Sequence, residues 1–511
     1  MALIGLDVGT TELKAAAFGD DGECLAIASV EYSAESPAPG YFELPAETLW
    51  AAARQAIGEV ASGCGDPVGA LAVCSHGESF VPVDKDGEPL HPFILNLDGR
   101  AANEMAALEN HFGRQWLYET TGLPPHPMYM LPKITWLRQW SLETYRRATR
   151  FLCVQDYLAW RMTGEAATDL SLASRTLALD INSARWSPEL TRFAGISNEH
   201  LPSLVSAGTK LGKLRRGLAG ELGLSEGVVC VAGGHDQACT ALGGGSAETG
   251  SMVDGTGTFE AVSVVLERPL RSPDALAANL PCERHVLPDR YLALAYVPGG
   301  AVLRWLRDNC APDLVEAAHW RDKNAYDLLL SSLPADPTGL FVFPYWFGTG
   351  TPWMRSDVGG SVQGLTVATS RSELVKSALE GICFEMRWNL DILESLGIWT
   401  DSIRAVGGGA RSGVWLQLKA DVWGREIVAL PGEAGCKGAA LCAGIGAGAY
   451  SSWEEAVFAT RRPGTVYEPS MRAHATYSER FAQYKELAEK LYGFSFEYAS
   501  THERREVTRT C

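Results

Sequence analysis

Short apolar runs separated by glycine-rich turns open the chain. Ala2-Leu3-Ile4-Gly5-Leu6 predicts a buried strand, Gly9-Thr10-Thr11 a turn, and Leu13 to Phe18 a second strand; Asp20-Asp21-Gly22 then turns into a third strand from Leu25 to Tyr32. The same arrangement returns at Met252 to Leu266, where a Gly/Thr turn again separates a strand from the β-branched run Val262-Ser263-Val264-Val265. An internal duplication is the economical explanation, with a boundary near residues 245 to 252, where Gly243-Gly244-Gly245-Ser246 reads as a hinge. Helical periodicity takes over elsewhere. Leu379, Ile382, Cys383, Met386, Leu390 and Leu393 follow the i, i+3, i+4, i+7 rule, with Ser370 and Glu373 as a capping box and Gly397 as the stop. Ser412 caps a helix from Val414 to Trp423 that Gly424 ends, and Pro132 opens another whose apolar face includes Ile134, Leu137 and Trp140.

At 511 residues the chain exceeds what one hydrophobic core serves. Two large α/β domains are expected, 1–246 and 252–450, with a cleft between them and a helical extension with a charged tail over 451–511. The tail after Tyr498 reads as peripheral. Composition is that of an ordinary globular protein, with 46% apolar and 21% charged residues. The net charge of -17 argues against a general nucleic-acid or anionic-membrane surface and favours a compact ligand. Twelve cysteines, spread singly and often inside apolar runs, read as reduced core residues rather than disulfides or zinc ligands. Asp7 interrupts the apolar N-terminus, so no secretory leader is read, and no apolar run approaches the ~18 residues of a membrane span. The cytoplasm is the expected compartment.

Gly233-Gly234-His235-Asp236-Gln237 follows the apolar run Val228 to Ala232. A carboxylate at the carboxyl end of a buried strand, beside glycines that admit a ligand to the backbone, is placed to accept a proton. Gly9-Thr10-Thr11 offers backbone N–H groups and hydroxyls to a phosphate, with Lys14 nearby, although a single copy reads first as a plain hairpin turn. The second copy, Gly255-Thr256-Gly257-Thr258, tips the balance, because two facing hairpins can grip a polyphosphate. Asp7 suits Mg²⁺ held through water. Gly407-Gly408-Gly409-Ala410-Arg411-Ser412 before a capped helix would let an adenosine lie against bare backbone. No Gly-x-x-x-x-Gly-Lys-Ser/Thr loop is present.

Together these residues resemble the FGGY family of carbohydrate kinases, which has two actin/hexokinase-like (ribonuclease H-like) domains related by duplication. Gly360-x-Val362-x-Gly364-Leu365, then Glu373-Leu374-x-x-Ser377-Ala378-Leu379-Glu380, meets the family's C-terminal signature in full. Lys133-Ile134-Thr135-Trp136-Leu137 meets its N-terminal signature in part, since Met130 stands where a small residue or proline is usual. The resemblance makes Asp236 the base and places Thr256, Gly300 and Arg304 near the phosphates, although glycerol kinases have glutamine where Arg304 stands. It makes Thr10, Thr11, Glu12 and Lys14 the first phosphate hairpin and Gly255, Thr256 and Gly257 the second. Gly408, Gly409, Ala410 and Gly413 become the adenosine site. ATP and Mg²⁺ are the implied cofactors.

For the sugar, the resemblance points to Gly77, Glu78, Asp98, Asp236 and Gln237. Gly77-Glu78 aligns with Met-His of xylulokinases and Arg-Glu of glycerol kinases, and Gly77 is expected to leave open the space that methionine or arginine fills there. Each residue also has a plainer explanation. His76 and His235 read first as packed or surface histidines, Asp98 with Arg100 as a structural ion pair, and Glu78 as a solvated carboxylate at a strand edge. The implied activity is ATP-dependent phosphorylation of a terminal hydroxyl of a ketopentose such as xylulose, with glycerol or another small polyol as the alternative. A sensor that kept the fold, or an actin-like ATPase, is the rival from another class. The resemblance leaves a homodimer open.

Overall fold

Strand β1, Ala2–Val8, is buried except for the half-buried Asp7. Its side chains alternate: Ala2, Ile4, Leu6 and Val8 enter one core, while Leu3, Gly5 and Asp7 face the other way. Strands β2, Glu12–Phe18, and β3, Cys24–Glu31, continue from it as an antiparallel meander. On the other side of β1 lie two parallel strands, β4, Val68–Ser75, and β5, Val229–His235. Helix α1, Asp236–Gly243, leaves β5 directly. The computed structural model from which this is read describes residues 1–321 and 323–496, so the expected peripheral tail after Tyr498 lies outside it.

The second half repeats this plan. β6, Met252–Thr256, pairs antiparallel with β7, Phe259–Leu266. The short β8, Cys282–Arg284, and β9, Tyr291–Pro298, extend that side, β9 lying between β7 and β8. On the other side β6 is parallel to β10, Ser402–Gly407, which is parallel to β11, Glu426–Ala429. The order β3-β2-β1-β4-β5 in one sheet therefore matches β9-β7-β6-β10-β11 in the other, with the same strand senses. That correspondence is the duplication visible in the sequence.

The capped helices form as their end signals require. Arg371–Ser395 starts at the Ser370/Glu373 capping box and buries its apolar stripe in the second core. Gly413–Trp423 is capped by the Ser412 side chain and closed by left-handed Gly424. The third helix differs in detail. It runs Met130–Trp140, so Pro132 is its third residue, where the first turn needs no N–H donor. Trp140, expected on the apolar face, is 69% exposed because the helix ends there, and its ring N–H reaches Glu104 at 3.2 Å. Of the cysteines among the described residues, none is in a disulfide.

Helix α2, Ala434–Ala447, follows β11 in sequence but packs on the first sheet and on α1. Missing side chains make this contact possible. A Cβ at Gly438 would lie 1.9 Å from the Cys239 carbonyl oxygen, and one at Gly5 would lie 1.8 Å from that of Cys436. Gly438→Ala should therefore force α1 and α2 apart and destabilise the protein by about 1–3 kcal/mol, the usual cost of overpacking. Gly58→Ala, on the helix Ala46–Gly63 with nothing within 4 Å of the added Cβ, should stabilise slightly. Denaturant unfolding of the two variants measures the difference.

Candidate active site

Asp236 is the first residue of α1, immediately beyond β5. Its neighbour His235 is buried and bridges two carboxylates: Nε2 lies 3.2 Å from Asp236 Oδ1, and Nδ1 lies 2.8 Å from Glu283 Oε1. Burial works against charge on His235, but Glu283 and then Asp236 outweigh it and raise the imidazole to about 9. Asp236 Oδ1 has no aligned hydrogen bond, although it is out of contact with solvent. It is thus free to accept a hydrogen from a bound hydroxyl.

Gly77 and Glu78 follow β4. Glu78 is 3% exposed and sits at φ 67°, a left-handed conformation that costs a non-glycine residue about 1–3 kcal/mol and collects at functional sites. The solvated alternative for Glu78 is excluded by this burial. Its Oε1 accepts from Arg175 Nε at 2.7 Å. Burial alone would raise its carboxyl, but Arg175, His235 and His76 together more than offset this and leave it below the ordinary value. The space expected beside Gly77 is not open: a Cβ there would lie 2.7 Å from Arg175 Cβ and 3.3 Å from His235 Cδ2. An arginine from elsewhere in the chain has filled it.

Arg175 also lies 3.5 Å from Glu283, and its Nη1 is buried without a partner. Glu78, Arg175, Glu283, His235 and Asp236 thus form one continuous chain of charges, buried except at the half-buried Asp236. His76 joins it with an unpartnered Nε2, the other ring nitrogen being held by Val8 O at 2.9 Å, whereas the unpartnered Oε1 of Gln237 lies toward the second hairpin, 4.0 Å from where a Cβ at Gly255 would be. Asp98 does not join. It is 1% exposed, and its two oxygens accept from Arg100 Nε at 2.8 Å, Arg100 Nη2 at 2.7 Å and Phe42 N at 2.7 Å. That is the geometry of the ion-pair alternative.

The hairpin turns and the glycine cluster lie at the carboxyl ends of β1, β6 and β10. Gly9 N donates to Glu12 O at 2.9 Å, leaving Thr10 half-buried and Thr11 exposed. Lys14 donates to Glu433 at 3.0 Å and also lies 3.7 Å from Glu12, so its charge is met within the protein. In the second hairpin Gly257 is exposed and Gly255 half-buried, but Thr256 is 2% exposed, with its hydroxyl accepting from Lys419 at 2.8 Å. Gly300 N donates to Gly257 O at 2.9 Å, which seats the helix Gly300–Cys310 on this turn; Arg304 is exposed one turn along. Gly408, Gly409 and Ala410 form a short 3-10 turn after β10, Gly409 packing on the Thr256 methyl, and Gly413 begins the next helix.

Asp7 connects the two sides. Burial, then the charge of Asp236, raises its carboxyl to about 7, with Lys14 acting in the opposite direction. Among the described residues no three acidic, histidine or cysteine side chains converge on a metal ion. A single carboxylate facing a second one fits a hydrated divalent cation, which keeps most of its own waters.

The family domains fix the class. The N-terminal domain of the FGGY family of carbohydrate kinases matches residues 2–243, and its C-terminal domain matches residues 250–447. The chain belongs to the FGGY family of carbohydrate kinases. Xylulose kinase of Bacillus subtilis is 27% identical over 95% of this chain and 96% of that protein. Gluconokinase of the same organism is 26% identical over 96% of each. The crystal structure of xylulose kinase from Rhodospirillum rubrum, 26% identical, covers 97% of this chain and 99% of that one with a TM-score of 0.83. A gluconate kinase from Lactobacillus acidophilus, 24% identical, covers 97% and 99% with a TM-score of 0.85 and shares the fold.

In this FGGY kinase the residues that sequence reasoning missed are Arg175, Glu283 and Lys419. Glu283 adjoins Arg284 and Lys419 lies close to Asp421, so neither stands out, but Arg175 is the lone charge between Asp169 and Asp180. A buried charge must have a partner, so that isolation was the available signal. For Asp7 the raised carboxyl sets a sign. The native state binds this proton more tightly than the unfolded chain, so the contribution of Asp7 is most favourable below pH 4 and is lost as pH rises through 7. Asp7→Asn should therefore gain stability over the wild type between pH 4 and 7 and hold that gain at pH 8. Denaturant titrations without divalent cations would contradict the burial of Asp7 if the difference did not vary with pH.

Proposed function

We propose that this carbohydrate kinase phosphorylates a terminal hydroxyl of a small neutral ketose, with xylulose as the first substrate, and that Asp236 takes the hydroxyl's proton. The observation that carries this reading is the buried Asp236 Oδ1, which lacks an aligned hydrogen bond and sits beside donors and acceptors that themselves lack partners. Unsatisfied buried polar atoms are costly. A polyhydroxyl ligand satisfies them: Glu78 accepts from hydroxyls, and Arg175 Nη1 donates to a hydroxyl or carbonyl oxygen.

Charge separates the candidate substrates. Glu78, Glu283 and Asp236 are three carboxylates facing two cations, Arg175 and His235. A sugar acid would bring a further negative charge into a buried cluster that already carries an excess of one, so a neutral sugar is favoured over gluconate. Glycerol has fewer hydroxyls to engage Glu78 and Arg175, which ranks it below a ketopentose.

On the other side, Thr10, Thr11 and the Gly255–Gly257 hairpin would hold the phosphates of ATP, with Gly300 and Arg304 beside them. The bare backbone of Gly408, Gly409, Ala410 and Gly413 would carry the adenosine. Asp7 would hold Mg²⁺ through water, and the cation would neutralise phosphate charge. Phosphoryl transfer through a loose transition state depends on position and electrostatics more than on a strong base, so a carboxylate held in place suffices.

A coupled ADP assay with D-xylulose, D-ribulose, glycerol and D-gluconate tests the substrate class. D-xylulose should give the highest kcat/KM; a preference for D-gluconate would overturn the charge argument. Asp236→Asn should lower kcat roughly 10²- to 10⁴-fold with little change in the ATP KM. Glu78→Ala should raise the sugar KM and leave the ATP KM near its original value, because it removes a buried charged acceptor from the sugar side alone.

A further inference from the structure

Glu283 belongs to β8, in the second sheet, yet its carboxylate is buried against residues of the first half. The backbone on either side is docked there: Cys282 N donates to Gly122 O at 2.8 Å, and Arg284 N donates to Ser174 Oγ at 3.1 Å. His235 is fixed from behind as well, because its backbone N–H donates at 2.9 Å to Ser171 Oγ, a hydroxyl that itself donates to Asp169. Arg175 is not the main partner of Glu283. It is 3.5 Å away and already bonded to Glu78 at 2.7 Å, whereas His235 Nδ1 is at 2.8 Å.

Resting on the reading of Asp236 as the base, we propose that Glu283 is a positioning residue for the phosphoryl-transfer reaction, acting through His235 to hold the Asp236 carboxylate toward the sugar hydroxyl. The argument is one of proton count. Both ring nitrogens of His235 face carboxylates, so both must carry hydrogen for each contact to be attractive. A neutral imidazole would keep its hydrogen on one nitrogen and turn a lone pair toward the other carboxylate. Glu283 therefore supports the doubly protonated ring, whose charge holds Oδ1 of Asp236 through the 3.2 Å ion pair while leaving that oxygen able to accept a hydrogen. Glu283, Asp236, Glu78, Arg175 and His76 are the charged or titratable groups that face this ring. The base on one half is thus set by a carboxylate delivered from the other.

The test uses the full chain and whichever sugar in the panel is turned over fastest. Glu283→Gln should lower kcat by about tenfold with the ATP KM unchanged, and should move the alkaline limb of the kcat profile toward acid by about one pH unit, since the imidazolium loses its nearest counter-charge. His235→Gln, which keeps an N–H donor but cannot titrate, should abolish that limb and retain more kcat than His235→Leu. A wild-type kcat and pH profile in Glu283→Gln, with Asp236→Asn inactive, would overturn the positioning role and leave the base intact. Turnover retained by Asp236→Asn would overturn both. If Glu283→Gln does not fold, equal kcat in His235→Gln and His235→Leu is the overturning result.

Discussion

The contact between α1 and α2 is the constraint on which the rest of this molecule depends. α1 begins at Asp236, and the first turn of α2 lies against Asp7, where a Cβ at Gly435 would fall 2.1 Å from Asp7 Oδ2. Backbone-to-backbone approach at Gly438 and Gly5 brings α2 onto the first sheet although it is reached only after the second sheet has been traversed. Side chains at these positions would separate the helices by ångströms, and interiors packed at crystal density do not absorb such a change. The same contact carries Glu433, at the start of α2, to Lys14 on β2. Asp7, Asp236 and the first Gly/Thr hairpin are therefore assembled by one helix crossing.

Duplication gave each half an aspartate at the same place, and the two have met opposite fates. Asp254, the counterpart of Asp7, is fully buried and bound by Lys419, which also lies 3.0 Å from Glu260 and donates to Thr256. Burial would raise both carboxylates, and the lysine opposes it. Such a cluster offsets its own desolvation only while it stays intact, and removing one member leaves an uncompensated charge that costs about 3–5 kcal/mol. It holds the second hairpin rigid. Among the described residues Asp7 has no comparable buried cation against it, Lys14 being half-buried and paired with Glu433. One copy is locked into a buried charge cluster and the other is not.

Most of the fold was legible from the sequence because its signals are local. The meanders, the repeated Gly/Thr turns, the Ser370/Glu373 capping box and the Ser412 cap each lie within a few residues, and the structure has them all. The Trp140 expectation failed where periodicity was carried into a helix's last turn, since the stripe has no partner there. Asp236 was singled out by its strand-end position, and Gln237 and Glu78 by the family resemblance. Their partners were not: Arg175 is 97 residues from Glu78, and Glu283 is 48 residues from His235. No periodicity connects residues so far apart. What the chain did display was the anomaly of Arg175, a single charge in neutral surroundings.

Gly77 shows why the distant partner matters more than the local motif. Read by alignment, a glycine in place of methionine or arginine implies a larger pocket. Read in space, the volume beside it is occupied by Arg175, which brings a guanidinium to Glu78 from the end of another helix. An arginine 97 residues away in sequence thus reaches that glutamate. Because Arg175 reaches Glu283 as well as Glu78, the two carboxylates share one cation. On the proposed reading, sugar hydroxyls that draw on Glu78 would change the balance of charge felt by His235, linking substrate recognition and the placing of Asp236 through a single side chain.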